Sequence, residues 1–220
     1  MNGPDLAKTK PKSWSRRKRA RPGEIVAAAL SVFAEKGFAA TRMEDIAVRA
    51  GVTKGTIYLY FSSKDELFKS LARETVDKAL ADATLDMASF ADSPRHSLVR
   101  ALGAIAAFLH NDEHAALPKI IIAESGNFPE LADFWRIEVI EKVMAVLGVV
   151  YDKGVAQGQF RPLPRDMVVR LCVAPIILGV IWRTTFFDPH DPIDTSKLFE
   201  THIDILLSGL LTPEALHAPR

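Results

Sequence analysis

The sequence predicts an all-α protein of about nine helices, in which a small N-terminal helix-turn-helix domain precedes a larger helical domain. Apolar residues recur at helical spacing from residue 21 onward. Capping residues and glycines mark the ends of these segments, and no stretch alternates like a half-buried strand. The predicted division is a disordered basic arm over 1–20, a helix-turn-helix domain over 21–67 and a second helical domain over 68–220.

The composition is that of a folded intracellular protein. Hydrophobic residues make up 48% of the 220, and one cysteine, Cys172, excludes an internal disulfide framework. We expect Cys172 to be buried rather than redox-active. The basic N-terminus lacks the apolar segment of a secretory signal. The longest apolar run, Leu171 to Trp182, is shorter than the about 20 residues that span a membrane. These features predict a cytoplasmic protein without a membrane segment.

Charge is distributed unevenly along the chain. Residues 1–75 hold 15 Lys/Arg and 8 Asp/Glu, a balance of +7, whereas residues 76–220 hold 13 and 19, a balance of −6. The N-terminal part therefore suits a polyanion such as nucleic acid. Residues 1–20 contain few apolar side chains, which predicts a mobile arm. Such an arm is either a solubilising tail or a segment that follows DNA, and both interpretations stay open.

The first helix is predicted from Pro22 to Lys36 and ends at Gly37, with Phe38 folding back on Phe33. A second helix follows, with Thr41 as N-cap and Glu44 completing a capping box. Its end is marked by Gly51 as the residue after the C-cap.

A third, short helix begins after Thr53, which can cap it. It buries Val52, Ile57 and Phe61. Its outward positions are Lys54, Thr56, Tyr58 and Tyr60. A second capping box, Ser63 with Glu66, opens the next helix. Two helices joined by a glycine-containing turn form a helix-turn-helix, whose second helix can lie in the major groove of DNA.

The rest of the chain is predicted to be helical. Ser93 and Pro94 have the N-cap and N1 pattern of a helix start. The run from Leu171 to Trp182 is apolar on all sides, and such a helix must be covered on all sides. A second subunit or burial inside a monomer would cover it. The predicted ranges are about 63–87, 93–110, 113–125, 129–157, 164–186 (with a kink at Pro175) and 194–211.

The segment AGVTKGTIYLYFSSKDELF resembles the DNA-binding signature of the TetR family of bacterial transcription regulators. The preceding segment, RPGEIVAAALSVFAEKGFAATRMEDIA, is similar to that family's first helix and glycine-ended turn, so the resemblance covers roughly 21–74. Farther on, LPKIIIAESGNFPELADFW is similar to the C-terminal domain of AefR-like members. The resemblance implies a nucleoid-associated repressor that binds an inverted-repeat operator as a homodimer and is released by a small apolar or aromatic effector. It also implies that 68–220 binds the effector and dimerises.

The exposed face and the resemblance select the same DNA-binding residues. Lys54 and Thr56 can reach base edges, Gly55 permits close approach, and tyrosine hydroxyls can bind phosphates. Core packing is the alternative for Tyr58, and Leu59 is assigned to packing. The predicted DNA-binding residues are Thr41, Arg42, Lys54, Gly55, Thr56, Tyr58, Tyr60 and Lys64.

Two further sets of residues follow from the resemblance. The candidate effector pocket comprises Phe108, Glu124, Phe134, Trp135, Met144, Trp182 and Arg183. Plain core packing is the alternative for its apolar members, and Glu124 and Arg183 are its polar candidates. The candidate dimer interface comprises Val173, Ile177, Ile181, Leu198, Ile203, Leu206 and Leu210.

Other classes of function find little support. The sequence shows no nucleophile–base pair or phosphate loop, so an enzyme is disfavoured and no cofactor is expected. His110 and His114 have a spacing that could hold a metal, but they straddle a helix junction, and solvated histidines are the preferred interpretation. The alternative within DNA binding is an architectural protein without an effector.

Overall fold

The computed structural model describes residues 13–88 and 93–216, with side chains described for 22–81 and 93–216. The described chain is helical, apart from turns and one isolated β-bridge between Phe160 and Leu211, so the predicted all-α class is confirmed. The helices are α1 (Ser13–Ala40), α2 (Met43–Arg49), α3 (Lys54–Tyr58), α4 (Lys64–Ala88), α5 (Pro94–His110), α6 (Asp112–Glu124), α7 (Pro129–Trp135), a π-helical turn (Arg136–Ile140), α8 (Glu141–Ala156), α9 (Arg165–Thr185), α10 (Thr195–Leu210) and α11 (Pro213–Leu216).

Helix α1 starts earlier than the sequence suggested. It begins at Ser13, so residues 13–20 are helical and differ from the predicted disordered arm. The physical reason is that this stretch, SWSRRKRA, contains no glycine or proline and is rich in arginine, lysine and alanine, which favour helix. Residues 1–12, the remainder of the predicted arm, lie outside the described residues.

Gly37 interrupts α1 near its end, as predicted. Its φ of 75° and ψ of 174° are non-helical and lie in a region that is essentially restricted to glycine. The break lets Phe38 stack on Phe33, with 5.6 Å between ring centroids. Phe68 of α4 packs edge-on against both rings at 5.4 Å. The predicted contact between Phe33 and Phe38 is therefore confirmed, and it fixes how the chain leaves α1.

The N-cap of α2 is Arg42, so the predicted capping box of Thr41 and Glu44 is wrong. Thr41 is buried, and its hydroxyl donates at 2.6 Å to the backbone oxygen of residue 37 in the preceding helix. The backbone N–H of Arg42 instead donates to Asp45 Oδ2 at 3.2 Å. Glu44 turns toward α3. The physical reason is that the break at Gly37 brings the Gly37 carbonyl within reach of the Thr41 hydroxyl. The hydroxyl binds this carbonyl and therefore does not cap α2.

The long predicted helix over 129–157 is divided in the structure. It begins at Pro129 and ends at Ala156 as expected, but a π-helical turn over Arg136–Ile140 separates α7 from α8. Gly158 follows with a φ of 71°, consistent with the predicted stop. By contrast, α5 has the predicted start, with Ser93 Oγ accepting from the backbone N–H of residue 96 at 3.4 Å.

Two apolar cores hold the helices together. The first unites α1–α4 with α6, α7 and the π-helical turn, and the second unites α5, α8, α9 and α10. The first core therefore crosses the predicted domain boundary after residue 67. We call α1–α3 the head and the helices from α5 onward the body. Helix α6 packs on α1, so the head is joined to the body by apolar packing as well as by α4.

Polar contacts reinforce this junction along the whole length of α6. Near its start, Glu113 accepts a hydrogen bond from Ser31 of α1. In its middle, Lys119 donates to the Thr184 carbonyl of α9 at 2.8 Å. At its end, Glu124 accepts from the backbone N–H of Ala39 at 3.0 Å. Helix α6 is therefore tied to the head at both ends and to α9 between them.

Candidate DNA-binding surface and effector cavity

Helix α3 is short, but it is well anchored. Thr53 Oγ1 accepts from the backbone N–H of Thr56 at 3.2 Å, which confirms the predicted cap. Ile57 and Phe61 are buried in the first core and fix which face of the helix points outward. Lys54, Gly55 and Tyr58 lie on the exposed face, and Thr56 is partly exposed.

Lys54 is held in place by its neighbours in the free protein. Its ammonium pairs with Glu44 of α2 and lies 5.8 Å from the centroid of the Tyr58 ring. The hydrogen bond that Lys54 donates to Glu44 raises the pKa of Lys54 and lowers the pKa of Glu44. The ion pair therefore keeps the cation extended along the surface, where a DNA phosphate or a guanine edge would compete with Glu44 for it.

Gly55 is a glycine that the fold itself does not require. A Cβ at this position would meet only Thr53 Oγ1, at 3.9 Å, which is ordinary contact. The backbone φ of Gly55 is also not positive. The space above Gly55 is therefore open, and its close approach to a DNA groove stays a prediction.

Two of the predicted DNA-binding side chains are engaged inside the protein. Thr41 is buried, as described above. Lys64 Nζ donates to the carbonyls of Phe38 and Ala39, at 2.7 and 3.2 Å, and lies 4.4 Å from the centroid of the Phe38 ring. Burial lowers the pKa of Lys64. These contacts give Lys64 a structural role in holding the turn after α1.

The exposed surface of the head also contains apolar side chains. Tyr58 is 46% exposed, so the alternative that it belongs to the core is not supported, while Tyr60 is half-buried against the first core. Leu59, which the sequence assigned to packing, is 81% exposed, and Val48 of α2 is 82% exposed. The assignment of Leu59 is wrong because α3 ends at Tyr58, and the turn that follows directs Leu59 to solvent. Arg42 is also exposed.

A cavity of about 440 Å³ lies in the body, walled by α4, α5, α6, α7, α8, α9 and the π-helical turn. This volume falls within the range of small-molecule sites. Almost every wall residue is apolar, and Arg170 of α9 is the ionisable side chain among them. The apolar wall includes Val76, Leu80, Ala104, Ile105, Phe108, Pro118, Ile121, Trp135, Val139, Ile140, Val143, Met144, Val173 and Ile177.

Three of the predicted pocket residues, Phe108, Trp135 and Met144, line this cavity. The other four lie elsewhere. Phe134 is buried in the first core, with the Arg73 guanidinium 4.9 Å from its ring centroid. Glu124 binds the end of α1, and Trp182 is exposed.

Arg183, the last of these residues, pairs with Asp112 of α6 and donates to the Leu109 carbonyl at 3.0 Å. It lines a different cavity of about 430 Å³ between α5, α9 and α10. Arg170, which lines the first cavity, was not among the predicted pocket residues. Its spacing from Val173 and Ile177 on one face of α9 was the available signal.

Helix α9 has an outward apolar stripe that differs from the predicted dimer interface. Leu171 and Leu178 are 63% and 52% exposed, and Met167 and Trp182 continue the stripe at helical spacing. The predicted interface residues Val173 and Ile177 instead face the cavity, and Leu210 is 2% exposed inside the second core.

The remaining predicted interface residues, Ile181, Leu198, Ile203 and Leu206, are partly buried. Leu198, Ile203 and Leu206 face α9 or the second core. In the single chain, Leu210 of α10 lies in the second core, and Val173 and Ile177 of α9 face the cavity, because an all-apolar helix gives no sequence signal for which face its own chain covers; a contact of these three residues with a second copy stays a prediction. On α10, the large apolar side chain on the outside is Ile205.

Helix α9 is also long and apolar enough to cross a membrane by length and composition, and among the described residues it is the one such helix. The core helix of a soluble protein passes the same test, so this is weak evidence. The expectation of no membrane segment rested on the uninterrupted run from Leu171 to Trp182, whereas the helix extends beyond that run at both ends. Pro175 lies inside α9, which continues across it.

The two histidines lie on either side of the junction between α5 and α6. His110 ends α5, whereas His114 lies in α6 and stacks on Phe108 with 4.2 Å between ring centroids. Within the described residues, no group of three or more His, Cys, Asp or Glu side chains could hold a metal ion. Cys172 is buried, as predicted, and burial raises the pKa of its thiol to about 11.

A capped, outward-facing second helix on a small head, joined to a helical body that contains an apolar cavity, defines a helix-turn-helix transcriptional regulator. Residues 25–71 match the family model of bacterial regulatory proteins, tetR family, and residues 91–196 match that of the tetracyclin repressor-like C-terminal domain. The chain belongs to the TetR family of bacterial regulatory proteins.

Known proteins agree with this assignment over most of the chain. The HTH-type transcriptional repressor KstR2 of Mycobacterium tuberculosis (strain H37Rv) is 30% identical over 86% of this chain and 92% of its own length. FadR from Bacillus subtilis, solved in complex with stearoyl-CoA, has a TM-score of 0.66 at 21% identity and covers 85% of this chain and 98% of its own.

A regulator from Saccharomonospora viridis, solved in complex with choline, has a TM-score of 0.74 at 21% identity and covers 89% of this chain and 99% of its own. At these identities the two structures show the shared fold alone.

Proposed function

We propose that this regulator is a repressor that binds an inverted-repeat operator as a homodimer and is released when a small molecule enters the cavity of the body. The observation that carries the DNA-binding part is the exposed face of α3, where Lys54, Gly55 and Tyr58 stand outward on a helix anchored from below by Ile57. Thr56 and Arg42 extend the same surface. A regulator of this kind acts in the cytoplasm, on the nucleoid.

The outward stripe of α9 supports the homodimer. An apolar stripe of this length is uncommon on the surface of a monomer. The same stripe on a second copy is also apolar and would cover it across a two-fold axis. Two copies related by a two-fold axis would present two α3 helices to successive major grooves, about 34–36 Å apart. Ile205 of α10 provides further apolar surface on the neighbouring helix.

Helix α6 supports a mechanical link between the cavity and the DNA-binding head. Pro118 and Ile121 of α6 line the cavity. The same helix is tied to the head through Glu113 and Glu124 and to α9 through Lys119. A ligand that displaces α6 would therefore change the angle between head and dimer helix, and with it the spacing of the two α3 helices. A ligand changes this angle only if it binds one arrangement of the head and the dimer helix more tightly than the other.

The name of a relative and the bound molecules of two structural neighbours agree with a small-molecule effector. KstR2 is named a transcriptional repressor, and the neighbours hold stearoyl-CoA and choline. Those two ligands differ in size and charge, so the residues that line the cavity of this chain decide which effector it binds.

The test of DNA binding begins with selection of bound sequences from a random duplex library. A two-fold-symmetric motif is expected. Lys54→Ala and Tyr58→Ala should then lose specific binding to that motif at moderate salt while the protein remains a dimer. Lys78→Ala, which removes an equal charge from an exposed position on α4, is the matched control and should bind normally. Normal binding by either α3 variant would contradict the assignment of α3.

The alternative function is that of an architectural DNA-binding protein without an effector. Genomic occupancy separates the two. A few promoter sites are expected for a repressor, whereas many dispersed sites would indicate an architectural role.

A further inference from the structure

The cavity in the body carries a charge pattern that the sequence did not indicate. Its walls are apolar on every side except at Arg170, and no acidic side chain lines it among the described residues. A purely apolar ligand needs no cation in such a wall, since burying apolar surface is favourable without one. Arg170 therefore requires its own explanation.

Arg170 has no polar partner among the residues that the structure describes. No hydrogen bond or ion pair joins it to another residue of the described chain, unlike Arg165 and Arg183 on the same helix, which bind Asp152 and Asp112. An arginine has five N–H donors and no acceptor, and its fork matches a carboxylate or a phosphate. In the free protein these donors face water.

The position of Arg170 relates this charge to the cavity. Arg170, Val173, Ala174 and Ile177 follow one another at helical spacing and all line the same cavity. Val173 and Ile177 are partly buried, whereas Arg170 is exposed. The guanidinium thus stands where the apolar cavity meets solvent, at one end of an apolar strip. Side chains of a helix lean toward its N-terminus, which carries the charge away from Ile177.

We infer that the effector is an amphipathic anion, with an apolar body inside the cavity and a terminal carboxylate, or another anionic group, bound by Arg170 at its mouth. This inference rests on the proposed function of the cavity and adds the chemical class of its ligand. A cationic head would be repelled by Arg170, and a neutral head would leave the guanidinium without a charged partner.

Three probes with the same twelve-carbon chain test the inference: dodecanoate, dodecanol and dodecyltrimethylammonium, used below their micelle concentrations. Binding is measured by isothermal titration calorimetry on the full chain. We expect the wild type to bind dodecanoate at least about 10-fold more tightly than dodecanol, because a charge-assisted hydrogen bond is about twice as strong as a neutral one. The cationic probe should bind most weakly. Dodecanoyl-coenzyme A has the same chain, but a thioester replaces the free carboxylate and its phosphates lie farther away. Comparing its affinity with that of dodecanoate shows which of the two anionic groups Arg170 binds.

Variants separate the role of Arg170 from a general effect of charge. Arg170→Gln should bring dodecanoate and dodecanol to within about 2-fold of each other, with the affinity for dodecanol unchanged. Arg183→Gln is the matched control on the same helix and should keep the preference for the anion. Ala104→Trp, which fills the cavity, should abolish binding of all probes, and a thermal melt checks that it is folded.

The possible results point in different directions. Equal binding of the acid and the alcohol by the wild type, or an unchanged preference in Arg170→Gln, would overturn the inference while leaving the cavity as an effector site. Binding of none of the probes would count against the effector cavity itself, and the inference would fall with it. Tight binding of dodecanoate by Ala104→Trp would place the ligand elsewhere and overturn it as well.

Discussion

Replacing Leu171 with glutamate should break the proposed homodimer. Full burial of a leucine side chain stabilises by about 1.5–3 kcal/mol. Leu171 is 63% exposed in the single chain, so its burial by a partner contributes about 1–2 kcal/mol in each copy. A two-fold axis places the change in both subunits, which gives about 2–4 kcal/mol. Burial of a carboxylate adds several kcal/mol per charge. A loss of at least about 4 kcal/mol raises the dimer Kd about 1000-fold.

Sedimentation equilibrium over a range of protein concentrations measures this change directly. Val48→Glu is the control, since Val48 is even more exposed but lies on the DNA-binding head. It should leave the dimer intact. Leu178→Glu, on the same stripe as Leu171, should act like Leu171→Glu. A Leu171→Glu protein that dimerises as tightly as the wild type would refute the assignment of this stripe to the interface.

Three further predictions concern the head and the body. Gly37→Ala should lower the free energy of unfolding by about 1–3 kcal/mol, measured by urea denaturation, because its φ of 75° and ψ of 174° suit glycine alone. Lys64→Met should lower it by about 1–3 kcal/mol, since the carbonyls of Phe38 and Ala39 lose their donor, and a rise in the melting temperature would contradict that role. Cys172, with a thiol pKa of about 11, stays protonated at pH 8. Its alkylation by iodoacetamide at pH 8 should therefore be about 100-fold slower in the folded protein than in urea and should speed up as the pH rises toward 11.

Much of the head could be predicted because its signals are local. Thr53 and Ser63 cap the helices that follow them, and Gly37 and Gly51 have the positive φ that their positions indicated. The failure at Thr41 has a local cause as well, four residues earlier in the chain. The sequence pattern is that of an N-cap, but the break at Gly37 supplies a nearer acceptor for its hydroxyl.

The body was harder to predict because its helices are apolar on more than one side. Periodicity places Val173 and Leu171 equally well at an interface, and only the packing of neighbouring helices shows that Val173 faces the cavity and Leu171 faces outward. Arg183 and Arg170 are both arginines on α9, so the sequence alone does not distinguish them, but different residues surround them in the fold. Asp112 from another helix engages Arg183, and residues distant in sequence decide that contact.

The π-helical turn over Arg136–Ile140 is a place where the chain can lose one residue. It forms part of the cavity wall through Val139 and Ile140. A π-helical turn holds one residue more than an α-helical turn. Deleting one residue here would therefore permit an uninterrupted α-helix and leave the buried side chains of α8 facing the second core, whereas a deletion inside α8 would rotate everything after it by about 100°. Length variation among natural variants should fall at this turn or in the loop between α9 and α10 and avoid the interior of α8.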